Sequence, residues 1–207
     1  MPGSSRAETI GALARSLDAA AAGRSALVAV DGVGASGKTT LADELAAAVR
    51  TQPVTVLHAD AFFHRPEVRH ARGRYSAEGF WLDAYDYPRM VSAAREPLRA
   101  SARRVDPGTL VLVEGTFLHR HELVGHWDLS VFLDVPLVEA RRRMHARAGV
   151  QIDERLVARW LDAQRIYFRA AQPWQRATVV LDNSEPDRLR VVDAADSAAA
   201  RDDARGR

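Results

Sequence analysis

The ten residues DGVGASGKTT, 31 to 40, follow the apolar run SALVAV and precede TTLADELAAAVR, which has the spacing of an amphipathic helix. Strand, glycine loop and helix in that order leave the chain few folds to choose from. Gly32 to Thr39 fits G-x-x-x-x-G-K-[ST], a loop whose backbone amides point inward around phosphates. Gly32, Gly34 and Gly37 let the backbone approach an anion, and the helix N-terminus adds its partial positive charge. Gly32, Gly34, Ala35, Ser36, Gly37, Lys38, Thr39 and Thr40 are therefore the expected phosphate contacts. Lys38 is the only lysine among 29 Lys and Arg residues. A guanidinium is a planar fork and an ammonium a compact point charge, so a narrow site around one phosphate oxygen accepts only the second. The expected ligand is a nucleoside triphosphate.

Apolar runs at 26–30, 54–59, 109–115, 129–135 and 178–183 alternate with helical patterns at about 5–22, 38–50, 88–102, 136–147 and 153–171. This βα alternation predicts an α/β fold, a three-layer sandwich around a mostly parallel sheet. Such sheets bind ligands beyond the carboxyl ends of their strands. One domain over 1–186 is expected. Residues 187–207, ending in AADSAAARDDARGR without an apolar face, read as a flexible tail.

Composition narrows the function classes. The chain has no cysteine, which excludes disulfides and thiolate-bound metal and fits a reducing compartment. It shows neither a signal core nor a membrane-length apolar run, so a cytoplasmic protein is expected. A net charge of +2 without a basic stripe interleaved with aromatics argues against nucleic acid. A small molecule is the expected partner, and oligomeric state stays open.

The strand ends supply the chemistry. Asp60, in HADAFFHRP, falls beside the phosphate loop, where a carboxylate can orient an attacking hydroxyl and accept its proton. Capping a turn, or holding Mg2+ through water, are its other readings. Glu114, at the end of LVLVEG, can bind the water shell of Mg2+ while the Thr39 hydroxyl is a direct ligand.

DGVGASGKTTLADELA, HADAFF, YDYP, VLVEGTFLHR and DLSVFLDVP followed by an Arg-rich helix together resemble the uridine kinase and phosphoribulokinase branch of P-loop kinases. The similarity spans roughly residues 24 to 186. It implies a P-loop fold with a helical lid, ATP and Mg2+, and transfer of a phosphate to a primary hydroxyl, such as the 5′-hydroxyl of uridine or cytidine. By motif, Asp60 matches the acid that faces the acceptor, Asp86 of YDYP the acid that binds ribose hydroxyls, and Glu114 the acid of the Glu-Gly strand end. Arg143 and Arg147, spaced i to i+4, match the lid arginines that clamp the phosphates. Where uridine kinases carry Arg-Gly-Arg-Asp in the lid, this chain reads HARAGVQIDE.

The stretch HRPEVRHARGRYSAEGFWLDAYDYP has no clear period, and a connection this long is usually functional. It reads either as an acceptor-binding flap, with aromatics to stack on a ring and arginines to grip an anion, or as a basic loop packed on the core. The acceptor-side candidates are Asp60, Phe63, Arg74, Tyr85, Asp86, His119 and Arg120. Nicotinamide riboside, pantothenate or a sugar could replace a nucleoside, and an ATPase or switch is the rival class. A GTPase is excluded, because Asn-Lys-x-Asp needs a lysine that the chain lacks.

Overall fold

The computed structural model describes residues 5–21, 24–102, 108–148 and 152–205. Its strands are β1 Ala26–Gly32, β2 Val54–His58, β3 Leu110–Gly115, β4 Leu129–Asp134, β5 Val179–Asp182 and β6 Arg190–Val192. They form one sheet in the order β2-β3-β1-β4-β5-β6, parallel throughout except for the antiparallel β5–β6 pair. The helices are α1 Arg6–Ala20, α2 Lys38–Ala48, α3 Pro66–Arg69, α4 Ala77–Asp83, α5 Tyr87–Ala102, α6 Leu137–Ala148, α7 Glu154–Ala171, α8 Pro173–Arg176 and α9 Ala198–Arg205.

Strand side chains alternate between faces, and here both faces are covered, which is why the strands read as unbroken apolar runs. Val28 and Val30 of β1, Leu112 of β3 and Leu133 of β4 pack with Leu13 and Leu17 of α1 and Leu41 and Leu45 of α2. Leu27, Ala29, Val113 and Phe132 point the other way, onto Met90 of α5 and Leu161 and Phe168 of α7. The three-layer α/β expectation is borne out.

Topology places the site. From β1 the chain builds β2 and β3 on one side, then returns to place β4 on the other. The crevice at this reversal opens beyond the carboxyl ends of β1 and β3. Asp31 lies opposite Gly115 and Val30 opposite Glu114 in the ladder, so the phosphate loop and the β3 acid leave the sheet at the same level.

The C-terminal segment differs from expectation. Rather than a flexible tail over 187–207, the described part holds β6 and α9, and Leu189 and Ala199 are fully buried. The Asp134 carboxylate at the end of β4 accepts from the Ala198 and Ala199 amides at 2.5 and 3.1 Å, capping α9 from a distant strand. The buried residues of α9 are Ala198, Ala199 and Asp203, which add little to an apolar pattern although alanine favours helix, and its cap lies more than sixty residues away. The long 64–88 connection likewise holds the short helices α3 and α4.

Candidate functional site

The phosphate loop begins where β1 ends. Gly37 stands at the N-cap of α2 with φ 96°, a left-handed conformation that glycine adopts at little cost, and it offers no side chain to cap the helix. The first-turn amides are thereby left for an outside acceptor. Lys38 is 9% exposed, and its Nζ donates to the Val33 carbonyl at 2.9 Å. Burial pushes the Lys38 pKa down, while the carboxylates of Glu114, Asp31 and Asp60 pull it back up. A buried ammonium facing three acids is poised to exchange part of that field for a phosphate.

The acids come from neighbouring strand ends. Asp60 lies in a 3-10 turn, Ala59–Phe62, directly after β2. Its Oδ1 accepts from the Tyr85 hydroxyl at 3.0 Å, which leaves Oδ2 for a substrate. Burial, then the Asp60 charge, raises the Tyr85 pKa well above its ordinary value, so this phenol stays a donor. Glu114 Oε1 lies 2.8 Å from His58 Nδ1. A Cβ on Gly115 would stand 2.3 Å from the Ala59 Cβ. Gly115→Ala therefore pushes the Asp60 turn outward. The expected result is a loss of roughly 1–3 kcal/mol in urea unfolding.

Lys38, Asp60 and Glu114 line one cavity of about 800 Å3. Of the expected phosphate contacts, Gly34, Ala35, Gly37, Lys38, Thr39, Thr40 and Arg147 are in its wall, and of the acceptor candidates Phe63 and Tyr85 join Asp60. Gly32 and Ser36 are buried outside the wall. Arg143 is also outside it: Nε bonds Glu139 at 2.7 Å, and Nη2 donates to the carbonyls of Asn183 and Ser184, both at 2.8 Å. This arginine ties α6 to the loop after β5. Residues 149–151 of the expected lid lie outside the described residues.

The remaining acceptor candidates lie outside the cavity wall. Asp86 caps α5, its Oδ1 accepting from the Arg89 amide at 3.0 Å. Arg74 is exposed, 5.9 Å over the Tyr75 ring. Arg120 is buried between Trp81 and Tyr87, 4.2 and 4.4 Å from their ring centres, and bonds Glu122 and the Trp81 carbonyl. His119 is sealed, with Nδ1 2.8 Å from Asp31 Oδ2. The cavity wall also includes Phe80, one of the aromatics of the 64–88 stretch, together with Thr116, Met144, Ile152, Trp160 and Gln164, which the sequence did not mark out. Gln164 carried a usable signal, as a polar residue in the i, i+3, i+4 stripe of Val157, Leu161 and Phe168 that faces the core.

His119 belongs instead to a buried network behind the loop. Asp31 Oδ2 also accepts from the Tyr167 hydroxyl, and Asp31 Oδ1 accepts from the Gly32 amide at 2.7 Å. Burial alone would raise the Asp31 pKa, but the His119 hydrogen bond and charge, with the Tyr167 hydroxyl, hold it below its ordinary value. A carboxyl whose pKa is lowered by folding adds stability above its unfolded pKa, about 3.9, and loses it as pH falls through the lower folded value. Asp31→Asn is thus expected to cost about 3–5 kcal/mol at pH 7 and to flatten the acid loss of stability below about pH 4. Urea titrations at pH 7 and pH 3 measure both effects.

A Mg2+ ion fits this donor set. Among the described residues no group of three or more His, Asp or Glu forms a ready metal cage. Magnesium at a phosphate site usually takes only one or two protein oxygens and completes its shell with phosphates and water. The Thr39 hydroxyl and Glu114 carboxylate, both in the cavity wall, are donors of that kind.

Strand order, phosphate loop and strand-end acids together define a P-loop kinase-like three-layer fold. Solved structures share it. The chain resembles a possible uridine kinase from Bacillus stearothermophilus with a TM-score of 0.61 and 22% identity, covering 83% of this chain and 96% of that one. It resembles a candidate fructose transport system kinase from Silicibacter sp. TM1040 with a TM-score of 0.61 and 25% identity, over 78% and 95% of the two chains. No family model matches the chain, and no curated protein matches its sequence. Among the described residues, no helix is long and apolar enough to cross a membrane.

Proposed function

We propose that this protein is an ATP-dependent small-molecule kinase that phosphorylates a primary hydroxyl, with nucleosides such as uridine or cytidine as the first acceptors to test. The observation that carries the reading is one cavity walled by the Lys38 loop on one side and by Asp60 on the other. Both structural neighbours are described as kinases, of different acceptors, which supports phosphoryl transfer and leaves the acceptor to experiment.

The loop amides and Lys38 bind the β- and γ-phosphates and stabilise the charge that builds as the terminal P–O bond breaks. Asp60 Oδ2 accepts the acceptor hydroxyl's proton while the new O–P bond forms, and ADP leaves with the bridging oxygen. Tyr85 fixes the Asp60 carboxylate in the required rotamer. Bound Mg2+, which Thr39 and Glu114 would hold, would neutralise part of the charge on the transferring phosphate. Arg147, exposed at the end of α6, closes over the phosphates and excludes water.

ADP release, screened with nucleosides, nicotinamide riboside, pantothenate and sugars, tests the reading. Release that depends on one acceptor supports it. Release that no acceptor accelerates assigns the site to simple hydrolysis.

A further inference from the structure

A permanently charged side chain is rarely buried unless an opposite charge pairs with it. Arg159 of α7 is only 8% exposed. Its Nη1 donates to the Arg74 carbonyl at 2.8 Å, and its Nε is buried with no hydrogen-bond partner. Arg69 of α3 has a buried Nε in the same condition. Of the acids nearby, Asp83 pairs with Arg72 at 2.8 Å and Asp153 with Arg155 at 3.3 Å, while Glu67 of α3 is exposed and forms no ion pair with the cluster. Among the described residues, Arg69, Arg74 and Arg159 take part in no ion pair. Burial, then the charges of Arg69 and Arg74, lowers the Arg159 pKa, and the same cluster adds to the lowering at His70.

The cluster lies against the acceptor side of the cavity. The Arg69 guanidinium sits 4.8 Å over the ring of Phe63, and that of Arg159 4.7 Å over the ring of Phe80. Both rings line the cavity that holds Asp60. Ring faces return part of the lost solvation but supply no anion. Arg69 is half-buried and Arg74 exposed, so an anion can enter from solvent and meet Arg159 at the inner end.

We propose that the acceptor carries a phosphate group of its own, held by Arg69, Arg74 and Arg159 while the rest of the molecule lies along Phe63 and Phe80 with its hydroxyl at Asp60. Guanidinium forks match phosphate oxygens bidentately, and this much uncompensated positive charge suits a dianion better than a single carboxylate. The proposal rests on the kinase reading and narrows it, because neutral alcohols leave the cluster unfilled.

Two measurements test it separately from that reading. In the first, acceptors are compared as sets of neutral alcohol, carboxylate and phosphate monoester of one skeleton. The phosphate ester is expected to have the highest kcat/KM, at least tenfold above the neutral parent. That preference is expected to fall at least tenfold in Arg69→Ala and in Arg159→Met, which keeps an unbranched stem on Phe80. Equal use of neutral and phosphorylated acceptors, or preference for the carboxylate, overturns the proposal. In the second, the phosphate loop is saturated with adenylyl imidodiphosphate and Mg2+, and inorganic phosphate is titrated by calorimetry. A saturable phosphate site that weakens in both variants supports the cluster even if no acceptor in the sets is phosphorylated, an outcome that removes the kinase reading alone. No phosphate binding, or binding unchanged in the variants, overturns it.

Discussion

Replacing Lys38 with arginine is expected to lower kcat/KM for ATP by about 10²–10³, the usual loss when one donor to the transition-state charge is removed, although formal charge is unchanged. The ammonium is 9% exposed and already reaches the Val33 carbonyl at 2.9 Å, in a pocket bounded by Gly34, Gly37 and the Glu114 strand end. A guanidinium is wider and planar, and it cannot direct one compact charge at one phosphate oxygen there. Burial has already weakened the hold of Lys38 on its proton, and the charges of Glu114, Asp31 and Asp60 offset part of that effect. Steady-state ADP release measures the loss, and a thermal melt alongside separates a local defect from unfolding. Wild-type turnover in the arginine variant would show that charge alone suffices.

Asp60→Asn is expected to lower kcat by about 10²–10⁴ while leaving ATP affinity near wild type. The amide keeps the shape of the carboxylate and can still accept from the Tyr85 hydroxyl, but it takes no proton from a substrate. A Mg2+ titration of the same variant distinguishes the other role open to this residue. If Asp60 served the metal's water shell, the variant's activity would recover at high Mg2+; as the group facing the acceptor, it leaves turnover low at every Mg2+ concentration.

Most of the fold was legible because its signals are local. The runs at β1, β3 and β4 are apolar on both faces, and α2 begins directly at the glycines. α9 was hidden because its buried residues are two alanines and an aspartate and its cap, Asp134, comes from a distant strand. At the site, Lys38, Asp60 and Glu114 could be placed from their positions just beyond, or at the ends of, apolar runs. His119 and Arg120 could not, since sequence shows that they follow β3 but not that the chain turns inward there. Phe117 adopts φ 72°, and the next residues pack against Asp31 and Trp81. Trp160 and Gln164 were not legible because α7 follows β4 and α6 in the chain and meets the cavity only through tertiary packing. The arginines of the 64–88 connection were visible, but which of them lacked acidic partners depended on how α3 and α4 pack.

The most direct measurement is single-turnover transfer from γ-³²P-labelled ATP with Mg2+ to a pool of uridine, cytidine, nicotinamide riboside, pantothenate, fructose and their phosphate esters. The account predicts that label leaves ATP for an organic product, and that Asp60→Asn binds the same ATP yet forms almost none of it. Label found only as inorganic phosphate, in equal amount with and without Asp60, would contradict it.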